Sequence, residues 1–138
     1  MKIIPIIKDI VGKENMILAK KGDFYSRDWT GQYQSTPLAV VKPSCALEVS
    51  KVVKACNQHK VPIVPISGNT GLSGGTSAND SVVISLERLN KIKDIKVSSR
   101  IAVVQAGVIL SDLHKALEDL PLVFPLTFGA KGSSMIGG

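Results

Sequence analysis

Cysteine and aromatic residues are scarce in this 138-residue chain, which carries two cysteines and 4% aromatics. Two cysteines are far below the density of a disulfide scaffold, so both are expected as thiols in a reducing, cytoplasmic compartment. No apolar run approaches the ~18 residues that a membrane helix needs. The apolar start is broken by Pro5, Lys8 and Asp9 before it reaches the uninterrupted run of a signal peptide. A cytoplasmic chain is expected, with peripheral membrane contact left open. Acidic residues are fewer than basic ones, 11 against 17, for a net charge of +6. The basic residues are spread singly or in pairs, aromatics are not interleaved with them, and no segment matches a nucleic-acid motif; nucleic acid is excluded as a partner. The two histidines, His59 at a helix end and His114 on a helix face, are expected to be structural or solvated, and neither a metal site nor a catalytic residue is assigned.

The hydrophobic share is 44%, which excludes disorder and suffices for one domain. Surface scaling predicts about 7,000 Å² exposed for a folded chain of this mass. The end, Met135-Ile136-Gly137-Gly138, has no polar tail and reads as a chain cut inside a structural unit.

From Leu38 onward the pattern alternates. Leu38 to Val41 reads as a buried strand closed by Pro43. A helix starting at Ser44 or Cys45 places Val49, Val52, Val53 and Cys56 on one face at helical period. Val61 to Ile66 is a second strand, placed at a sheet edge by Pro62 and Pro65. This β-α-β order predicts a parallel pair with a right-handed crossover. Ser81 to Leu86 is a third strand, and Lys93–Val97 with Ile101–Gln105 a hairpin. Leu110, Leu113 and Leu117 mark a helix over about 111–119, with Asp112 in its first turn. Before Pro37, Ile3 to Val11 predicts a short helix ended by Gly12, and Asp23 to Gln34 a loop. The fold class is α+β (α/β-like), a small parallel β-α-β subdomain followed by the start of a mainly antiparallel one. Residues 1–36 form an N-terminal segment, 37–138 the principal unit.

Two loops can carry chemistry. In Ser67-Gly68-Asn69-Thr70-Gly71-Leu72-Ser73-Gly74-Gly75, four glycines in eight residues follow a strand. Such a loop lets successive backbone N–H groups converge on an anion, while Ser67, Asn69, Thr70 and Ser73 offer short polar side chains. No Lys follows the glycines as in a Walker loop, and G-x-x-G-x-x-G is not the Rossmann spacing. Gly71 to Gly75 matches the G-x-S-x-G of a hydrolase elbow, with Ser73 as the nucleophile, but no helix follows and His114 lies only two residues from Asp112. The second loop, Phe124 to Gly138, is again rich in glycine and small residues.

At these residues the chain resembles the flavin-binding domain of the FAD-linked oxidases of the vanillyl-alcohol-oxidase or p-cresol methylhydroxylase (PCMH) type. Among those it is most similar to the D-2-hydroxy-acid dehydrogenases of D-lactate and D-2-hydroxyglutarate type. The resemblance runs from about Tyr25 to Gly138, through Arg27-Asp28-Trp29-Thr30, Pro37 to Pro43, Glu48-Val49, Val64-Pro65, Gly68 to Gly71, Gly74-Gly75, Val104 to Gly107, Phe124 to Leu126 and Gly129 to Ser133. It implies FAD as cofactor, with Ser67, Gly68, Asn69, Thr70, Gly71 and Leu72 cradling the pyrophosphate through backbone amides. It further implies that Pro125, Leu126, Gly129, Ala130, Gly132, Ser133, Ile136, Gly137 and Gly138 run along the ribityl chain and isoalloxazine. Thr70 stands where covalently flavinylated relatives carry histidine, which implies noncovalent FAD. Ile66 and Ser67 stand where relatives often have a polar or basic residue and a glycine. The function implied is the FAD-binding portion of an enzyme oxidising a D-2-hydroxy acid by hydride transfer. Activity is expected to be absent from these residues alone, because the substrate-binding part is not among them. The alternatives are a non-catalytic module or one completed by another chain and, more remotely, a serine hydrolase.

Overall fold

The computed structural model describes residues 2–18 and 23–137. Helix α1 (Ile3–Val11) forms where expected and buries Ile3, Ile7 and Val11, spaced one turn apart. Pro5 sits in its first turn, where a missing N–H costs nothing. The helix closes at Gly12, whose N–H donates to Lys8 O at 2.9 Å. A 3-10 turn (Lys13–Asn15) leads into β1 (Met16–Ile17), a strand of two residues too short to leave a periodic signal. Strand β2 spans Ala39–Val41, α2 Ala46–Gln58, β3 Ile63–Ile66 and β4 Val82–Ser85.

These strands form one mixed sheet in the order β1-β2-β4-β3. Strand β1 runs antiparallel to β2, and β4 runs parallel to both β2 and β3. The expected β2/β3 pair is therefore corrected: both strands are parallel, but β4 is inserted between them. Its continuous apolar run, Val82-Val83-Ile84, takes the fully buried central place, while Pro62 and Pro65 keep β3 at the edge as expected. Side chains alternate across the sheet. Ala39, Val41, Val82 and Ile84 meet α1 and α2 on one face, whereas Val40, Val64, Ile66 and Val83 pack with Ala78, Ile17 and Tyr25 on the other. Each buried Val or Ile contributes roughly 1.5–3 kcal/mol of transfer free energy.

Helix α2 begins one or two residues later than predicted. Its entry is set by the Glu48 carboxylate, which accepts from the Ser44 N–H at 2.7 Å and from its hydroxyl at 3.2 Å. The buried face also shifts: Val52, Ala55 and Cys56 are covered, but Val53 is 42% exposed. Val52, Ala55 and Cys56 enter the core that α2 shares with α1 and the sheet.

The second unit is the hairpin β5 (Ile92–Lys96) and β6 (Ile101–Val104) with α3 (Leu110–Leu117). Val108, Leu113 and Leu117 form its core with Ile92, Ile95, Val104 and Ile136 around them. It is locked to the first unit at Gly107, whose N–H donates to Leu89 O at 2.7 Å. A Cβ there would collide with the Leu86 carbonyl. The exposed surface is 8343 Å², against about 7,000 Å² expected for a closed globule of this mass. The excess is matched by apolar side chains left in the open, among them Ile101, Val103, Val123 and Leu126.

Candidate functional site

The 67–72 loop leaves the carboxyl end of β3, the end of a parallel sheet where ligands bind in open α/β folds. Its path is set by Asn69. This buried residue adopts φ +50°, a conformation asparagine tolerates better than other L residues. Its amide donates to Phe24 O at 2.9 Å and Arg27 O at 2.8 Å, and its side-chain oxygen accepts from the Thr76 hydroxyl at 2.8 Å. The side chain is thus fully engaged in holding the loop to residues 24–27 and to Thr76, which leaves Asn69 only its backbone N–H to offer a phosphate. Among the described residues, none of the N–H groups from Gly68 to Leu72 donates to a backbone carbonyl.

The second loop comes to the first because α3 draws it there. The N–H groups of Leu110 and Ser111, which open that helix, donate to Ser134 O at 2.9 Å and Lys131 O at 3.0 Å. Beyond them Ile136 N–H donates to Val108 O and Gly137 N–H to Ala106 O. Gly68 lies so close to the Ser133 carbonyl that no side chain fits between the loops.

Where they meet, Thr70, Leu72, Gly129, Ala130 and Ser133 line a cleft of about 380 Å³, with Trp29 as a further wall. A Cβ added at Gly71, Gly129 or Gly132 would meet nothing within 4 Å. Small residues, open space and free N–H donors are what a diphosphate requires, and the cleft is large enough for part of a dinucleotide. The site residues divide as follows. Thr70, Leu72, Gly129, Ala130 and Ser133 line this cleft, Gly71 and Gly132 are their neighbours in the chain, Gly68 packs on the Ser133 carbonyl, and Ser67 and Asn69 are buried. Pro125 lines a separate recess with His114 and Leu120, and Leu126 is exposed. Ile136 turns its side chain into the hairpin core, Gly137 packs on Ala106, and Gly138 lies outside the described residues.

Two features were missed by sequence reasoning. One is Trp29, whose position beside the cleft depends on the fold, although Asp28-Trp29-Thr30 carries a turn signal: Asp28 accepts from the Thr30 hydroxyl and the Tyr33 N–H. Those hydrogen bonds outweigh burial and hold the Asp28 carboxyl below its ordinary range. The other is the cluster of Tyr25, Lys42 and Glu87. The Tyr25 hydroxyl donates to Glu87 Oε2 at 2.7 Å, and Lys42 Nζ pairs with Glu87 Oε1 at 2.7 Å. Burial, then the Glu87 carboxylate, push the Tyr25 hydroxyl up. For Glu87 the burial penalty is outweighed by Lys42, Tyr25 and Ser85, which lower it, and Lys42 is raised against its own burial by Glu87 and Tyr25. The cluster ties the N-terminal loop to the ends of β2 and β4.

Ser73 is exposed, no helix follows it, and His114 is held by Phe124 O at 3.1 Å in the other unit, so the elbow match has no structural context. Burial raises the Cys56 thiol, which sits in the α2 core; Cys45 is exposed. No helix among the described residues is long and apolar enough to cross a membrane, and no metal-ligating cluster occurs among them.

The mixed sheet with its two small-residue loops has the fold of the PCMH-type FAD-binding proteins. The chain belongs to the FAD binding domain family, whose model matches residues 37–138. It is 45% identical over 117 residues to D-2-hydroxyglutarate dehydrogenase of Xanthomonas citri pv. viticola, covering 84% of this chain and 25% of that protein. It is 37% identical over 131 residues to glycolate oxidase subunit GlcD of Bacillus subtilis, covering 94% and 28%. Among solved structures it is similar to p-cresol methylhydroxylase with substrate bound, at a TM-score of 0.74 and 27% identity, covering 96% of this chain and 27% of that one. The chain spans about a quarter of the length of these curated relatives.

Proposed function

We propose that residues 67–72, faced by Gly129, Ala130 and Ser133 of the second loop, form the pyrophosphate-binding side of a noncovalent FAD site in an enzyme that oxidises a D-2-hydroxy acid. The observation that carries this reading is the convergence of two small-residue loops on one cleft, with the N–H groups of residues 68–72 unengaged. When bound, FAD supplies the hydride acceptor. The chain's part is to hold and orient it: backbone donors meet the phosphates, Asn69 fixes the donor row, and Gly68 lets the second loop close on the first. Threonine at position 70 offers no imidazole for a flavin bond. The net charge of +6 favours both an anionic cofactor and an acidic substrate.

Residues 37–138 are the cofactor unit in this reading, and α1 and β1 complete its core from the N-terminal side. Groups that polarise a hydroxy acid or take its proton are assigned to a partner polypeptide or further chain. The exposed apolar surface of the hairpin and the 123–128 segment supports such completion. Isothermal titration tests the reading: FAD is expected to bind the 138-residue chain at micromolar or weaker affinity, with no turnover of D-lactate or D-2-hydroxyglutarate using a dye acceptor. Absence of FAD binding contradicts the assignment, and turnover contradicts the division of labour.

A further inference from the structure

Trp29 is the chain's single tryptophan and one of its most exposed apolar side chains, at 74%. Exposure of that degree normally goes with a mobile loop, yet this loop is pinned from several sides. The Asp28 N–H donates to Tyr33 O and the Ser35 N–H to Ser26 O, the Asp28 carboxylate closes the turn, the Asn69 amide holds the carbonyls of Phe24 and Arg27, and Tyr25 is fastened to Glu87. The indole is therefore held out by a rigid support. It faces two adjoining recesses, the cleft with Thr70, Leu72 and Ala130 and a second of about 290 Å³ with Arg27 and Asn69. Across the first, Leu72 is 62% exposed. An indole and a leucine standing open beside free N–H donors are the two halves of a site for a flat ring carried on a phosphate.

Resting on the FAD reading above, we infer that Trp29 is a cofactor-binding residue, its indole stacking on an aromatic heterocycle of the dinucleotide while residues 68–72 hold the phosphates. Removing one ring-stacking partner weakens binding by about fivefold or more.

The test uses the intact chain. FAD affinity, read by flavin fluorescence polarisation, is expected to fall at least about fivefold in Trp29→Ala and to be largely kept in Trp29→Phe. The thermal midpoint should hold in both, because the side chain is open. Two partial ligands identify the ring: ADP, which has no flavin to absorb tryptophan emission, and FMN, which has no purine. Protection of Trp29 emission from acrylamide by ADP assigns the purine. Weaker FMN binding in Trp29→Ala without that protection assigns the isoalloxazine. If FAD binds the wild-type chain and Trp29→Ala equally well, the inference is overturned and the FAD reading stands. If FAD does not bind the wild-type chain, the reading falls and the inference with it.

Discussion

The carbonyl oxygen of Ser133 occupies the place where residue 68 would carry a side chain. This contact joins the loop after β3 to the loop after α3, and the cleft lies between the same two loops. Gly68→Ala is expected to force the loops apart and cost about 1–3 kcal/mol, as overpacking does elsewhere. The thermal midpoint and FAD affinity should fall together.

Asn69 separates loop position from phosphate contact. Asn69→Ala leaves two carbonyls and a hydroxyl without their partner and puts alanine at a positive φ, for an expected loss of about 2–4 kcal/mol. Asn69→Gly relieves the backbone penalty, and chemical denaturation should place it between alanine and wild type.

The Tyr25, Lys42 and Glu87 cluster predicts a pH window. The Glu87 pKa is lowered in the folded chain, so its stabilisation is present above the ordinary carboxylate range and is lost as pH falls from that range through the lowered folded-state value. The Lys42 and Tyr25 values are raised, so theirs is present below the lysine and tyrosine ranges and is lost above them. Glu87→Gln is expected to cost about 1 kcal/mol at neutral pH, the pair being partly solvated. Denaturation curves of variant and wild type should converge in acid. Asp28, shifted the same way, leaves both some acid sensitivity.

Ser73→Ala should leave FAD affinity and stability unchanged. A fluorophosphonate probe should not label Ser73 in the wild-type chain, because among the described residues no helix follows it to supply an oxyanion hole and His114 is held at Phe124 O; labelling there would revive the hydrolase alternative.

Local patterns in the sequence foretold much of this. The stretch from Ile3 to Val11 ahead of Gly12 marked α1, the prolines marked an edge strand, and the clustered glycines marked both loops. Three things depended on contacts between distant residues. Strand β4 wedges between β2 and β3 because its run is apolar on both faces, which fixes burial but not neighbours. Val53 is left outside because α2 turns Val52, Ala55 and Cys56 into the core it shares with α1. The Asn69 amide turns inward because two carbonyls 42 and 45 residues away need donors, and Trp29 reaches the cleft through the same staple.

The most direct test compares wild type with Gly71→Val by isothermal titration with FAD, alongside thermal unfolding. Gly71 stands between Thr70 and Leu72, which line the cleft, and a Cβ there would meet no protein atom within 4 Å and needs no positive φ. The account predicts an unchanged thermal midpoint and at least a tenfold loss of FAD affinity, about 1.4 kcal/mol. Equal FAD affinity in the two proteins at equal stability would contradict the placement of the cofactor between these loops.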